Sequence, residues 1–565
     1  MKKFLIIVCG ICAVSFLSCK KFLVEDPKGR ITTKYLATQQ GLNDLLTASY
    51  YDTRGIVENL KFLGNAASDE WTYGAQATEV RLMTECRTAD FISSGENSAL
   101  WSSLYSNINN LNYGLTNIDQ VSFSDNNLKN RLKGEFSFLR AWQYFLVVET
   151  WGGGAHFQTK PSDGAITEGK PATIQDFYKL VLSDIDVAIA NLPSQPTEKG
   201  RASAFAAKAL KARILMALAG YADNVISAVG TTKAQIYTNA KTLADDVIAN
   251  SGRKLLTDYK SVFDVKNENN NEVLWSVQFS SNLIYNGNGQ KLHRYWVSQY
   301  NRSAHTLANI PKLPPHSINY GREYRNIMPT KWLLKLYNQY DKRYDGSFLS
   351  VYLRLIANAD GTETLVPGDT ALIRFPTSLN AATYAAYAKR GIPVDGLDDY
   401  YDATTNAPTL NGRSYFVQFS KYLDPSRTVA KLEEGFKDVI VLRLAEMYLI
   451  GAECAMYQNN LAGAAKYITD LRVRALTPGH EAELAVDASK IDIDYILDER
   501  SRELAGEEIR WYDLKRTGKL VERVKKYNPD ALFIAAMHNI RPIPVNEILN
   551  ATNKDVFKQN PGYQP

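Results

Sequence analysis

The sequence predicts a mostly α fold: a tetratricopeptide-like helix-pair superhelix packed with an irregular region of loops and short strands. Three observations lead there. Apolar residues recur at three- and four-residue spacing in six stretches between residues 34 and 265, joined by short turns. From Glu272 onward the texture changes to short apolar runs and long loops rich in Asn, Gly and aromatics. Near the C-terminus, residues 439–454 and 499–516 form two further helical stretches with complementary charges.

Taken in order, residues 19–33 read as an extended lead-in broken by Pro27 and Gly29. A first helix covers 41–58. Residues 66–90 hold Asp69, Glu70, Trp71 and Tyr73 without clear periodicity, which predicts a loop. Residues 100–119 place Trp101, Tyr105, Ile108 and Leu111 at helical spacing. Residues 128–150 are cored by Leu132, Phe136, Leu139, Trp142 and Leu146 and are ended by Gly152, Gly153 and Gly154. Helices over 175–191, 202–219 and 233–250 follow, the first stopped by Pro193. No repeat of about 34 residues is clean, so the packing is repeat-like with degenerate sequence. The expected division is a helical region over 34–265 and a second region over 266–565. In the second, 272–279 reads as a strand, 280–313 as a long loop, 329–340 as a helix, and 343–432 as short strands and loops.

The stretch 439–454 is too apolar all round for a surface helix. Its Arg443, Glu446 and Glu453 fall within about 80° of one another on a helix. Buried charges need partners, because desolvation costs several kcal/mol per ion. In 499–516, Glu499, Glu503, Arg510 and Asp513 share a face, with Gly506 where a neighbour can approach. Two readings stay open. The charges lock two packed helices, or Glu446, Glu453 and Glu503 are acid/base carboxylates of a hydrolase.

The 565 residues are 45% hydrophobic and 22% charged, a globular composition. Tyrosine is abundant at 33 residues, which suits sugar rings and wet interfaces as well as packing. The formal charge is +5, and without Lys2 and Lys3 it is +3. Neither value nor any basic stripe argues for nucleic acid. Residues 1–18 read as a signal peptide, with Met1-Lys2-Lys3 before an apolar run too short to span a bilayer. Phe16-Leu17-Ser18-Cys19 then places a small residue directly before a cysteine, a loose version of the bacterial lipoprotein cleavage pattern. Lipid on Cys19 would tether the chain to a membrane. Of the remaining cysteines, Cys454 reads as an inert core thiol, and Cys86 could be free or paired with it.

Motifs for catalysis are missing: no HExxH, GxSxG or Walker loop occurs. The histidines show no ligand spacing, so no zinc is expected. Asp395, Asp398, Asp399 and Asp402 crowd one loop and could hold calcium, but lack the spacing of a calcium loop; a solvated acidic turn is the alternative. Candidate ligand contacts are loop aromatics with polar neighbours: Trp71 and Tyr73 with Asp69, and Tyr295 and Trp296 with Asn301. Such rings stack on sugars by their faces, or else anchor their own loops.

At the C-terminus, Ile540-Arg-Pro-Ile-Pro-Val-Asn-Glu547, Asn550 and Gln559-Asn-Pro-Gly-Tyr563 resemble the closing signature of SusD/RagB proteins of Bacteroidetes. Glu499 to Leu504 with Arg510, Trp511, Asp513 and Leu514 resembles their preceding helix, and Arg443 to Leu449 with Ala452-Glu453 is similar too. Phe138 to Trp142, Trp151-Gly152, Gly200-Arg201-Ala202, and Cys19 with Phe22-Leu23 and Pro27 resemble the N-terminal half. The resemblance implies a lipid-anchored outer-membrane protein on the cell surface, not an enzyme. It would bind glycans, or in some members peptides, and act with a SusC-like TonB-dependent transporter. The shared motifs are scaffold, so no binding residue carries over by motif. The expected function is therefore capture of oligo- or polysaccharide for uptake. A peptide-binding member and a lipoprotein glycosidase are the alternatives.

Overall fold

The computed structural model describes residues 33–87, 94–164, 166–507 and 509–564. The expected signal segment and Cys19 lie outside them. Labels follow chain order. The N-terminal part comprises α1 (Gln39–Asn65), β1 (Trp71–Tyr73), α2 (Thr78–Glu85), α3 (Gly95–Asn117), α4 (Asn126–Trp151), α5 (Ile174–Asn191), α6 (Ala204–Leu218) and α7 (Lys233–Asn250). Then come β2 (Val273–Val277), β3 (Ile327–Pro329), β4 (Val351–Ala357), β5 (Glu363–Arg374) and α8 (Ala381–Lys389). The principal C-terminal elements are β6 (Val439–Arg443), α9 (Leu444–Tyr457), α10 (Leu461–Arg472), α11 (Ile493–Leu504) and α12 (Arg510–Arg516).

The helices start where local chemistry tells them to. Ser94, Asp125 and Ser203 cap α3, α4 and α6 with their side chains. Thr173 with Asp176, and Thr232 with Gln235, form reciprocal capping boxes on α5 and α7. The helices then stack in order: α1 on α3, α3 on α4, and so on to α7, which packs on α9, which packs on α10. The stack thus crosses the sequence-expected boundary at 265/266. So does the main core, where Trp275 of β2 sits edge-on between Phe138, at 4.9 Å, and Trp142, at 5.0 Å. α4 is buried almost all round, and its charges are paired: Arg140 with Asp184 at 2.7 Å, and Glu149 with Lys515 at 2.9 Å. The C-terminal signature is a clasp. Arg541 donates to the carbonyls of Leu63 and Ala66 at the end of α1, and Asn560 Nδ2 donates to the carbonyl of Trp151.

Four expected elements differ. Residues 439–443 are a strand, not helix; β6 pairs antiparallel with β2, Val439 opposite Val277 and Arg443 opposite Val273. β-branched Val439, Ile440 and Val441 favour this pairing. The 499–516 stretch breaks after Leu504, where Gly506 turns with φ +73° against the Phe419 ring. The 66–90 loop contains β1, paired with β3. The expected 329–340 helix shrinks to Lys331–Lys335.

Breaking those two helices does not separate the charges. It gathers them. Arg443 meets Glu503 at 2.7 Å, Glu272 at 2.9 Å and Glu507 at 2.7 Å. Arg343 meets Asp341 at 2.7 Å, Glu499 at 2.9 Å and Glu503 at 3.3 Å. Arg474 joins Glu272 to Glu503, Arg472 reaches Glu499 at 2.6 Å, and Lys421 reaches Glu507 at 2.8 Å. One connected network thus holds five buried cations, four buried carboxylates and Glu507, whose side chain is 9% exposed, with Arg502 at its rim.

Candidate functional site

The hydrolase reading requires carboxylates at an open cleft. Glu446, Glu453 and Glu503 are each no more than 1% exposed. Arg213 holds Glu446 at 2.8 Å, and Arg516 grips Glu453 through two bonds of 2.6 and 2.8 Å. Burial by itself would raise the Glu503 pKa, but Arg474, Arg443 and Arg343 outweigh it and bring the carboxyl down to about 2. A carboxylate so held is a poor proton donor near neutral pH.

The structure brings two of the sequence-expected rings together, but inside the protein. Trp71 and Trp296 meet edge to face at 6.0 Å, and Phe419 closes on Trp71 at 4.9 Å. Trp71 is fully buried and Trp296 is 1% exposed, so neither face can receive a sugar in this arrangement. Asp69 is fully buried too. Arg510 donates to both of its oxygens at 2.7 Å, and Arg523 donates to Oδ2 at 2.8 Å. Burial would push this carboxyl up; the two guanidiniums overcome it and hold it below the usual range. Asp69 is a structural counter-ion with no oxygen to spare. Tyr295 is buried beside Arg294, whose guanidinium lies 5.2 Å from its ring. Asn301 is half-buried, and its backbone carbonyl accepts from the Ile310 N–H at 2.8 Å. These positions correct the expected site: strand pairing buries Trp71, arginine counter-ions bury Asp69, and Tyr295 and Trp296, at the end of the short helix Leu292–Tyr295, are buried with Trp296 packed on Phe419 and Tyr422. The acidic loop also differs from a calcium site. Asp395 is buried against Arg374 at 3.2 Å and Ser303 at 2.6 Å, Asp399 accepts from Tyr384 at 2.6 Å, and Asp402 accepts the Thr404 and Thr405 N–H groups. Among the described residues, no three His, Cys, Asp or Glu side chains converge as metal ligands.

Among the expected rings, Tyr73 reaches a cleft. It ends β1 half-buried, and the cleft of about 680 Å³ beside it is lined by Tyr73, Arg81, Glu85, Arg87, Leu410 and Arg413, among others. The Arg413 guanidinium lies 3.7 Å from the Tyr73 ring centre, donates to the Tyr73 carbonyl at 2.7 Å, and pairs with Asp530 at 2.7 Å. On α2, the i,i+4 spacing brings Arg81 Nε to 2.7 Å from Glu85, and Arg87 Nε reaches the other Glu85 oxygen at 2.7 Å. Burial would raise the Glu85 pKa, but these two arginines hold it below its ordinary value. Arg87 also lies over the Phe533 ring at 5.0 Å, and Phe533 and Leu410 are both exposed. Such a site can stack a flat apolar face and donate hydrogen bonds from fixed guanidiniums. Sequence reasoning found only Tyr73. The Arg81–Glu85 spacing is a local signal, but Leu410, Arg413 and Phe533 converge from far along the chain and leave none.

Residues 271–563 match the model of the SusD family, and residues 21–216 match a model described as "Starch-binding associating with outer membrane". The chain is 26% identical over 575 residues to SusD-like protein P25 of Formosa agariphila, covering 97% of each. It is 27% identical over 289 residues to a SusD-like protein of Bacteroides ovatus, covering 48% of this chain and 49% of that one. Its fold matches that of a laminarin-binding SusD-like protein with a TM-score of 0.66 at 22% identity, covering 93% of this chain and 99% of that one. It also matches surface glycan-binding protein A of Bacteroides thetaiotaomicron, solved with laminarihexaose, with a TM-score of 0.65 at 16% identity, covering 93% and 99%. Helix stack, C-terminal clasp and a family match across more than half of the sequence agree: the chain belongs to the SusD family.

Proposed function

We propose that this protein is a cell-surface glycan-binding lipoprotein that captures oligo- or polysaccharide and passes it to a TonB-dependent transporter of the outer membrane. It turns nothing over. Lipid on Cys19 anchors it, the helical region over 34–265 supplies the scaffold and most of the cleft wall, and the region over 266–565 closes that wall with Leu410 and Arg413. The observation that carries the reading is the Tyr73 cleft, where a ring and fixed hydrogen-bond donors face one space while the carboxylates of the interior are spent on ion pairs. Two solved proteins of the same fold are described as binding laminarin or holding laminarihexaose, which supports a glycan ligand. Among the described residues no helix is long and apolar enough to cross a membrane. Tethering beside the transporter raises the effective ligand concentration, so weak individual sites suffice.

The test is migration of the purified chain through native gels loaded with a polysaccharide panel, with assay of new reducing ends. Retardation without new ends is expected. Released sugar would refute capture without turnover, and binding to peptide digests alone would refute the glycan.

A further inference from the structure

The lining of the Tyr73 cleft restricts the kind of glycan it can take. A neutral sugar presents hydroxyls that both donate and accept, so a site built for it supplies acceptors as well as donors. In its charged groups this cleft is one-sided. Its charged side chains are three guanidiniums and Glu85, and both Glu85 oxygens are already engaged, one by Arg81 Nε and the other by Arg87 Nε, each at 2.7 Å. Behind the wall, Asp530 is likewise occupied by Arg413 and by the Thr72 hydroxyl. With Arg81, Arg87 and Arg413 against Glu85 and Asp530, the local balance is one positive charge.

The donors, by contrast, are open. The side chains of Arg81 and Arg87 are 57% and 48% exposed, and within the described residues each bonds only through Nε, leaving its terminal nitrogens for a ligand. They are also held in place. Glu85, 4% exposed, fixes both forks from below, Phe533 lies flat under Arg87 at 5.0 Å, and Tyr73 lies under Arg413 at 3.7 Å. A planar guanidinium fixed in this way matches a carboxylate or sulfate oxygen pair, and less rotamer entropy remains to be lost on binding.

We infer that this cleft selects glycans carrying oxyanions, with the anionic group of one sugar seated between Arg81 and Arg87, beside the Tyr73 ring that Arg413 covers. The inference rests on the glycan-binding reading above and specifies its substrate class. The oxyanion is a uronate carboxylate or a sulfate ester, and separate probes distinguish them.

The experiment is calorimetric titration of the full mature chain with three oligosaccharide probes of matched length: oligogalacturonate, a sulfated carrageenan oligosaccharide, and neutral laminarin. The wild type should bind at least one anionic probe tighter than laminarin, with affinity falling as salt is raised, because exposed charge pairs are screened. The probe that binds identifies the oxyanion. Arg81→Gln and Arg87→Gln should each weaken that probe roughly ten- to hundredfold. Each leaves the other arginine on Glu85, so circular dichroism and melting should stay near wild type. Arg87→Lys, which keeps charge without the fork, should fall between. Binding of laminarin alone, unmoved by Arg81→Gln, would overturn the inference and leave the glycan reading standing. Failure of all three probes, with the wider polysaccharide panel also negative, would overturn both.

Discussion

Glu503→Gln tests the internal charge network at its most connected point. The substitution keeps the side-chain shape and removes one negative charge. The glutamate is fully buried and meets Arg443 at 2.7 Å, Arg343 at 3.3 Å and Arg474. Five buried cations would then face four carboxylates. Two routes size the cost. A folded-state value of about 2 against the ordinary 4.5 corresponds to about 3 kcal/mol of preference for the ionised group. Removing one partner of a buried ion pair typically costs about 3–5 kcal/mol, because the remaining charge stays desolvated. The routes agree, so equilibrium denaturation should show a loss of about 3 kcal/mol or more. Lys466→Ala is the control. Its pair with Asp470 is i,i+4 with the lysine side chain 75% exposed, so its loss should cost at most about 0.5 kcal/mol. If the two substitutions cost the same, the network is not a clamp and the carboxylate is free for another role. The folded fraction of Glu503→Gln should still retard in glycan gels; an acid catalyst would instead lose a measurable turnover.

Further outcomes follow from particular residues. Glu503 sits below its ordinary value when folded, so its contribution is complete above about pH 4.5 and is lost as pH falls through about 2. Asp438 goes the other way: burial raises it to about 6, and burial together with neighbouring Asp438 raises Glu268 to about 7. Each binds its proton more tightly folded than unfolded, so its contribution is present at low pH and is lost as pH rises through 6 to 7. Denaturation of Asp438→Asn should accordingly show a smaller loss of stability between pH 4 and 7 than the wild type, and an equal or larger loss would contradict this. Trp71→Ala should cost about 3–5 kcal/mol as a core truncation, whereas Tyr73→Ala should reduce glycan affinity with a much smaller stability loss, read by titration and melting side by side. Cys86 and Cys454 are buried free thiols, and burial pushes the Cys86 thiol up to about 12. A thiol reagent should label neither residue quickly in the native protein and both in denaturant. Gly506→Ala adds a Cβ 2.5 Å from the Phe419 ring at φ +73°, so it should cost more than about 1 kcal/mol in denaturation.

The sequence by itself determined the N-terminal helices and that the charges of 439–454 and 499–516 would be buried. Thr173–Asp176 and Thr232–Gln235 are local capping signals, and the spacing from Leu132 to Leu146 marks a core face without any tertiary information. Arg443, Glu446, Glu453 and Glu503 had to be paired, because an apolar stretch cannot bury bare ions. Their particular partners were decided by the fold: Arg213 comes from α6 and Arg343 from a different part of the chain. The site was legible only at Tyr73. Trp71 and Tyr73 are two residues apart on one strand, yet one is sealed by Phe419 and Trp296 while the other opens on a cleft. Exposure is a property of what packs over a residue, not of the residue. The arginine-lined wall needed Arg413 and Phe533 brought to α2 from hundreds of residues away, and no local pattern in a single sequence encodes that meeting.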